Sequence, residues 1–439
     1  MNKKILQLCF LLLLCACSNK STTTNEKRHT VPAPQDVMMY QINPRVFAPQ
    51  HAFNAVAQQL DSIKELGANV VWFMPINEVG KVKTVNSPYC VKDYKALNPE
   101  FGTMEEFQQL ITLCHERGMS VIMDWVPNHT SWDNAWIANR DWYTQDEEGE
   151  IISPAGTGWL DVADLNFDNA EMRLAMIDAM KYWVEEVGVD GFRVDAVDFV
   201  PFDFLKQAVD SLRAMPQELL LLAEGKRRDH FDAGFDMNYS WDFLESLRDL
   251  FLNDEDADRL FEVNHSEYDS IPEGKVKLRF TTNHDEYMKM SVIEEFHGER
   301  GAMAAFVPTV FLRGGALIYS GQEVAYPQRI DFFRYVAVDW SANPAIRNEY
   351  KQLMQLYNRY PALRKGKLET YPDKDILLFE KYDNNHHFLV AVNVRDEVKK
   401  IGIPEGWTGQ KCTDQMSGEE VQIGGVLELA PYQYRIFRH

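Results

Sequence analysis

The chain is short of basic charge, of cysteine and of long apolar runs, and each shortage closes off a class of function. Lys and Arg number 45 against 66 Asp and Glu, a formal net charge of −21. So acidic a protein repels nucleic-acid backbones and anionic lipid surfaces, which argues against both as partners. A neutral polymer or small neutral ligand is indifferent to that charge. Of the six cysteines, only Cys90, Cys114 and Cys412 lie beyond the first residues. Their scatter makes neither a disulfide framework nor zinc spacing, so they read as buried thiols. No glycine-rich phosphate turn follows an early strand, which argues against a doubly wound dinucleotide fold. The longest apolar run, Ile5 to Leu14, is too short to span a bilayer as a mature helix.

That run has the shape of a leader instead. Lys3 and Lys4 precede it, and Leu14-Cys15-Ala16-Cys17-Ser18 ends it. The ending resembles a bacterial lipoprotein signal. The resemblance implies that residues 1–16 are removed and Cys17 is acylated. The protein would then be lipid-anchored outside the cytoplasm, at the outer membrane. A plain secretory signal cut nearby is the other reading. Residues 17–36 are rich in Ser, Thr, Asn and Pro and read as a flexible tether.

From residue 37 strands alternate with helices. Val37 to Phe47 is the first strand candidate. Val70 to Met74 is a continuous apolar strand of the kind buried on both faces. Val121 to Asp124 is the third. An insertion rich in Trp, Asp, Asn and Gly follows over 128–168. Gly191 to Asp195 is the fourth strand and Leu219 to Glu224 the fifth. The sixth lies near Phe235 to Tyr239, the seventh over Val276 to Asp285, and the eighth over Ala316 to Tyr319. Helices fill the gaps, as at Asn54 to Leu66 and Met104 to Arg117, several closed by glycine. Eight such units predict a (β/α)8 barrel over 37–365. Beyond it, short alternating strands such as Ile376 to Glu380 and Phe388 to Val392 predict a small antiparallel β domain over 366–439.

The stretch Gly191-Phe192-Arg193-Val194-Asp195 carries the chemistry. Arg193 and Asp195 sit two apart, so on a strand both leave the same face. A cation there favours the ionised acid and lowers its pKa, as a carboxylate nucleophile requires. A structural ion pair fits the same stretch. Two further acids, Glu224 and Asp285, are placed at strand ends. In a barrel all three face one mouth. Three carboxylates around one mouth suit glycoside hydrolysis. A Mg or Mn site is the rival, disfavoured by Arg193 and His284, which stand as cations beside two of the acids.

Here the sequence resembles the α-amylase superfamily of glycoside hydrolases, across most of residues 37–439. Asp124-Trp125-Val126-Pro127-Asn128-His129 is similar to its strand-three motif, and the Arg193–Asp195 stretch to its strand-four motif. Ala223-Glu224-Gly225 and Thr282-Asn283-His284-Asp285 resemble those of strands five and seven. Asp164-Leu165-Asn166, Tyr89 with Val91 to Tyr94, Pro99 to Thr103, and Tyr319 to Glu323 complete the set. The resemblance implies Asp195 as nucleophile, Glu224 as acid/base and Asp285 as transition-state stabiliser. It implies that Arg193 orients Asp195, that His129 and His284 bind the sugar, and that Tyr89 stacks on it. It also implies one structural calcium, for which Asn128 and Asp164 could supply oxygens, and no organic cofactor. The expected reaction is retaining cleavage of α-1,4 links in starch-like glucans, with the catalytic carboxyls about 5–5.5 Å apart. One departure stands out. Asp198 and Phe199 occupy positions where many starch-degrading members have Lys-His. Cleavage of α-1,6 links, transglycosylation, or a non-catalytic glycan-binding lipoprotein remain alternatives.

Overall fold

The computed structural model describes residues 29–269 and 271–439. The leader 1–16, Cys17 and the tether as far as residue 28 lie outside the described residues. Eight parallel strands close into a barrel: β1 (Met38–Ile42), β2 (Val70–Phe73), β3 (Ser120–Trp125), β4 (Gly191–Val194), β5 (Leu220–Ala223), β6 (Met237–Tyr239), β7 (Val276–Arg279) and β8 (Gly315–Tyr319). Each pairs with its neighbours in sequence, and β1 pairs with β8.

The period-2 alternation of strands divides their side chains. Met39, Val70, Trp72, Ile122, Leu220, Leu222, Met237, Leu278 and Leu317 pack together inside the barrel. Tyr40, Val71, Phe73, Val121, Phe192 and Leu221 face outward and pack with the helices. Continuous apolar runs are what such doubly covered strands need. Gly191 opens β4 at φ 147°, and a Cβ there would lie 1.9 Å from the Leu220 carbonyl oxygen. Only glycine lets β4 approach β5 that closely.

The insertion after β3 is anchored by a two-stranded ladder of His129–Ser131 with Val162–Asp164. The helix Glu299–Phe311 is buried along most of its length, as a helix apolar on all sides must be. The chain beyond Gly366 forms a six-stranded antiparallel sheet, beginning with β9 (Lys367–Tyr371), β10 (Ile376–Tyr382) and β11 (His387–Asn393). One face of β10, Leu377 and Phe379, joins the core shared with the barrel. The other, Ile376 and Leu378, packs within the small domain. Cys90, Cys114 and Cys412 are free and buried. No helix among the described residues is long and apolar enough to cross a membrane.

The seventh strand is shorter than the sequence suggests. β7 ends at Arg279, and Asp285 stands in the first turn of a helix, His284–Lys289. The Asn283 side chain accepts from the Asp285 and Glu286 backbone N–H groups and caps that helix.

Candidate active site

A fully buried Arg193 organises the mouth. It sits on the inward phase of β4. Its Nη1 donates to Asp124 Oδ1 at 2.7 Å and to Asp195 Oδ1 at 2.6 Å. Its Nη2 lies 2.7 Å from Glu224 Oε1, and its Nε donates to the Tyr239 hydroxyl at 3.1 Å. The guanidinium lies 5.1 Å from the Trp72 ring centroid. A rigid fork can hold three carboxylates in fixed directions, which a lysine's point charge cannot.

Glu224 follows Leu220 and Leu222 on the inward phase of β5. Its second oxygen accepts the Ala196 N–H at 2.7 Å. Ala196 is left-handed at φ 46°, a conformation that costs a non-glycine residue about 1–3 kcal/mol. That turn aims the donor at Glu224.

Burial sets the titration of this cluster. It raises Glu224 to about 8, against the opposing pull of Arg193. It raises Asp195 and Asp124 to about 7 in the same contest. This corrects the expectation that Arg193 lowers Asp195: the cation pulls down, and desolvation pulls up harder. Both carboxyls of the facing pair are raised, so the pair holds a proton between them near neutral pH.

A chain of hydrogen bonds fixes the opposite wall. Gln41 Nε2 donates to His284 Nδ1 at 2.7 Å, and His284 Nε2 meets the Tyr89 hydroxyl at 2.6 Å. Tyr89 in turn donates to Asp124 Oδ2 at 3.2 Å, as does Trp72 Nε1 at the same distance. Burial pushes both His284 and His129 down to about 4. His284 is therefore neutral, and the expectation that it stands as a cation beside Asp285 is overturned. The pair still touches, Nε2 to Oδ2 at 3.3 Å.

These residues open into one cleft of about 760 Å³, lined by Tyr89, His129, Asp195, Glu224, His284 and Asp285. The structure thus gathers the three acids at one mouth. The same cleft includes Trp159, Phe332 and Phe333, which the sequence did not single out. Trp159 meets His129 edge-on at 5.5 Å and Phe199 at 5.6 Å. The sequence signal for Trp159 was a tryptophan behind two glycines in an insertion, and for Phe332 an aromatic pair in a loop after β8. Asp198 turns away, toward the buried His230 at 3.1 Å, while Phe199 is 57% exposed.

Asn128 and Asp164 meet where the insertion begins and ends. The Leu165 N–H donates to the Asn128 carbonyl, and His129 pairs with Asp164 in the ladder. Burial raises the Asp164 carboxyl, with Thr144 opposing. Their oxygens suit calcium in kind but fall short of its usual six to eight ligands. Among the described residues the one cluster of three or more His, Cys, Asp or Glu donors is His29, His115 and Asp190, which does not contain Asp164.

A closed parallel barrel with carboxylates converging at one mouth defines a barrel enzyme of the acid/base type. Within that class the chain belongs to the alpha-amylase family: its catalytic domain matches residues 41–154 and 157–366. The chain is 26% identical over 412 residues to the alpha-amylase MalA of Haloarcula japonica, covering 88% of this chain and 59% of that protein. It thus spans less than two thirds of that relative. A cyclomaltodextrinase of Geobacillus thermopakistaniensis is 24% identical over 420 residues, covering 87% of this chain and 69% of its own. In fold, the maltogenic alpha-amylase AmyB of Thermotoga neapolitana superposes with a TM-score of 0.84 at 24% identity, over 93% of this chain and 99% of that one.

Proposed function

We propose that the protein is a retaining glycoside hydrolase that cleaves α-glucosidic bonds, mainly α-1,4, of starch-like glucans or maltooligosaccharides. The observation that carries this reading is the shared guanidinium. Asp195 and Glu224 are gripped by the two terminal nitrogens of Arg193, side by side across one cleft. Sharing one guanidinium brings the two carboxyls together, which supports a double displacement, in which no water fits between nucleophile and sugar.

Asp195 attacks the anomeric carbon while Glu224 gives its proton to the departing glycosidic oxygen. A covalent glycosyl ester on Asp195 results. Glu224, now ionised, takes a proton from water, whose oxygen attacks the same carbon and frees Asp195. Asp285 binds the ring hydroxyls and offsets positive charge in the oxocarbenium-like transition state. His129 and His284, both neutral, hydrogen-bond the same sugar, and Tyr89 covers its face. Asp124 braces Arg193. A calcium ion held by Asn128, Asp164 and backbone carbonyls would tie the insertion to the barrel and takes no part in these steps.

The test is the anomeric form of the first product. Maltooligosaccharides should release the α-anomer first, followed by proton NMR before mutarotation. A β-anomer, or no release of reducing sugar, would refute the proposal. Pullulan and cyclodextrins in the same assay separate α-1,6 cleavage and transglycosylation from the α-1,4 reading.

The Trp159–Phe199 pair supports a leaving-group platform in place of the missing Lys-His contacts. Trp159→Ala should raise KM for long oligosaccharides about fivefold, since sugar-facing aromatics contribute on the order of 1 kcal/mol each. Turnover of an aryl glucoside should change little.

We further propose that Cys17 is lipidated and the barrel tethered outside the cytoplasm at the outer membrane. The lipoprotein-like leader supports this, and palmitate labelling abolished by Cys17→Ala would test it.

A further inference from the structure

The barrel's opposite end carries a second cavity, where β7 and β8 begin. It has a volume of about 480 Å³ and is roofed by the C-terminal sheet. Its lining includes Lys275, Arg313, Lys367 and Lys381, a basic concentration in a protein of net charge −21.

Lys381 is the unusual member. It lies on β10 in phase with Leu377 and Phe379, which pack in the core shared with the barrel. Its side chain is therefore driven into the contact between the two domains and is 1% exposed. Among the described residues no acid or carbonyl accepts from its ammonium. The surrounding acids are already engaged. Asp36 holds Arg364 and Lys365, Asp236 holds Lys275, and Glu267 holds Arg279. Arg313, exposed at the cavity's rim, rests over the Tyr268 ring at 4.0 Å. Arg279, just behind, leaves Nε and Nη1 buried without partners. Burying the Lys381 ammonium without a partner costs stability that no internal contact returns.

We propose that this cavity is an anion site, and that its ligand is the phosphate group of a small organic ester. Lys381 and Arg313 hold the phosphate oxygens by charge-assisted hydrogen bonds, the strongest kind available to a small ligand. The volume exceeds what a bare ion needs and falls within the range of small-molecule pockets. The unliganded state is consistent with this. Burial, with Arg313 and Arg279 adding to it, pushes the Lys381 ammonium down to about 7, and a bound anion would restore the charge. The site is separate from the catalytic cleft and does not depend on the glycosidase reading.

Calorimetric titration and thermal melts at pH 6.5, in low-salt buffer without phosphate, test the proposal. The probes are inorganic phosphate, glucose 6-phosphate and, as control, glucose. Either phosphate should bind and raise Tm, and glucose should do neither. Tighter binding of glucose 6-phosphate assigns the cavity to the ester; equal binding assigns it to the free ion. Lys381→Met should melt higher than wild type without ligand, because it removes an unpaired buried charge, and should lose the phosphate-dependent rise. Arg313→Ala should weaken binding by roughly tenfold or more. No binding by wild type, or binding by Lys381→Met equal to wild type, overturns the proposal.

Discussion

Glu224→Gln is expected to lose about 10²–10⁴-fold in kcat/KM on maltooligosaccharides, the usual worth of a positioned general acid. The loss should nearly vanish for a substrate whose leaving group departs without a proton, such as α-glucosyl fluoride, in the glycosylation step. Asp195→Asn should lose both substrates, because no leaving group replaces a nucleophile. The pH profile provides a second readout. Activity needs Asp195 ionised and Glu224 protonated. With burial raising Asp195 to about 7 and Glu224 to about 8, kcat/KM should rise with pH through the lower value and fall through the higher. The two limbs belong to the coupled pair rather than to either residue alone. Glu224→Gln cannot lose a proton from its side chain, so the falling limb should disappear. A variant that keeps the limb, or is as crippled on the fluoride as on the oligosaccharide, would remove Glu224 from the acid's place.

What made the site readable from the chain was parity. Arg193 and Asp195 share a phase on β4, and Glu224 shares one with Leu220 and Leu222 on β5, so their common direction needed only a barrel to be assumed. The barrel followed from continuous apolar runs, since a strand covered on both faces has no polar phase to hide it. Asp285 was harder. The residues after Arg279 look extended, and nothing local shows that Asn283 would turn its side chain back to cap a helix. The charge of His284 was out of reach altogether. It depends on burial against Tyr89 and Trp72 and on the amide of Gln41, residues distant along the chain. Trp159 is the same kind of case: its partners, His129 and Phe199, lie on different loops that only folding brings together. Local pattern therefore placed Asp195 and Glu224 at their strand ends, while the helix under Asp285, the protonation states and the aromatic wall belong to tertiary packing.

Arg193→Leu should damage fold and function together, and the damage should depend on pH in a definite direction. The substitution leaves Asp124, Asp195 and Glu224 buried without their cation. Breaking a buried ion pair from one side costs roughly 3–5 kcal/mol. All three carboxyls are already raised above their unfolded values, and loss of the guanidinium raises them further. An acid raised on folding binds protons more tightly in the native state, so its contribution is complete below the unfolded value. It is lost as pH rises through the folded one. The variant's deficit relative to wild type should therefore be small near pH 4, where protons neutralise the cluster, and grow steadily toward pH 9. Urea melts across that range measure it directly. Arg193→Lys should recover part of the stability at high pH but little of the activity. One ammonium can supply charge to the cluster, yet it cannot hold Asp195 and Glu224 apart at fixed angles as the fork does. A deficit that is flat with pH would mean that Arg193 acts through packing against Trp72 and Tyr239 rather than by balancing three acids.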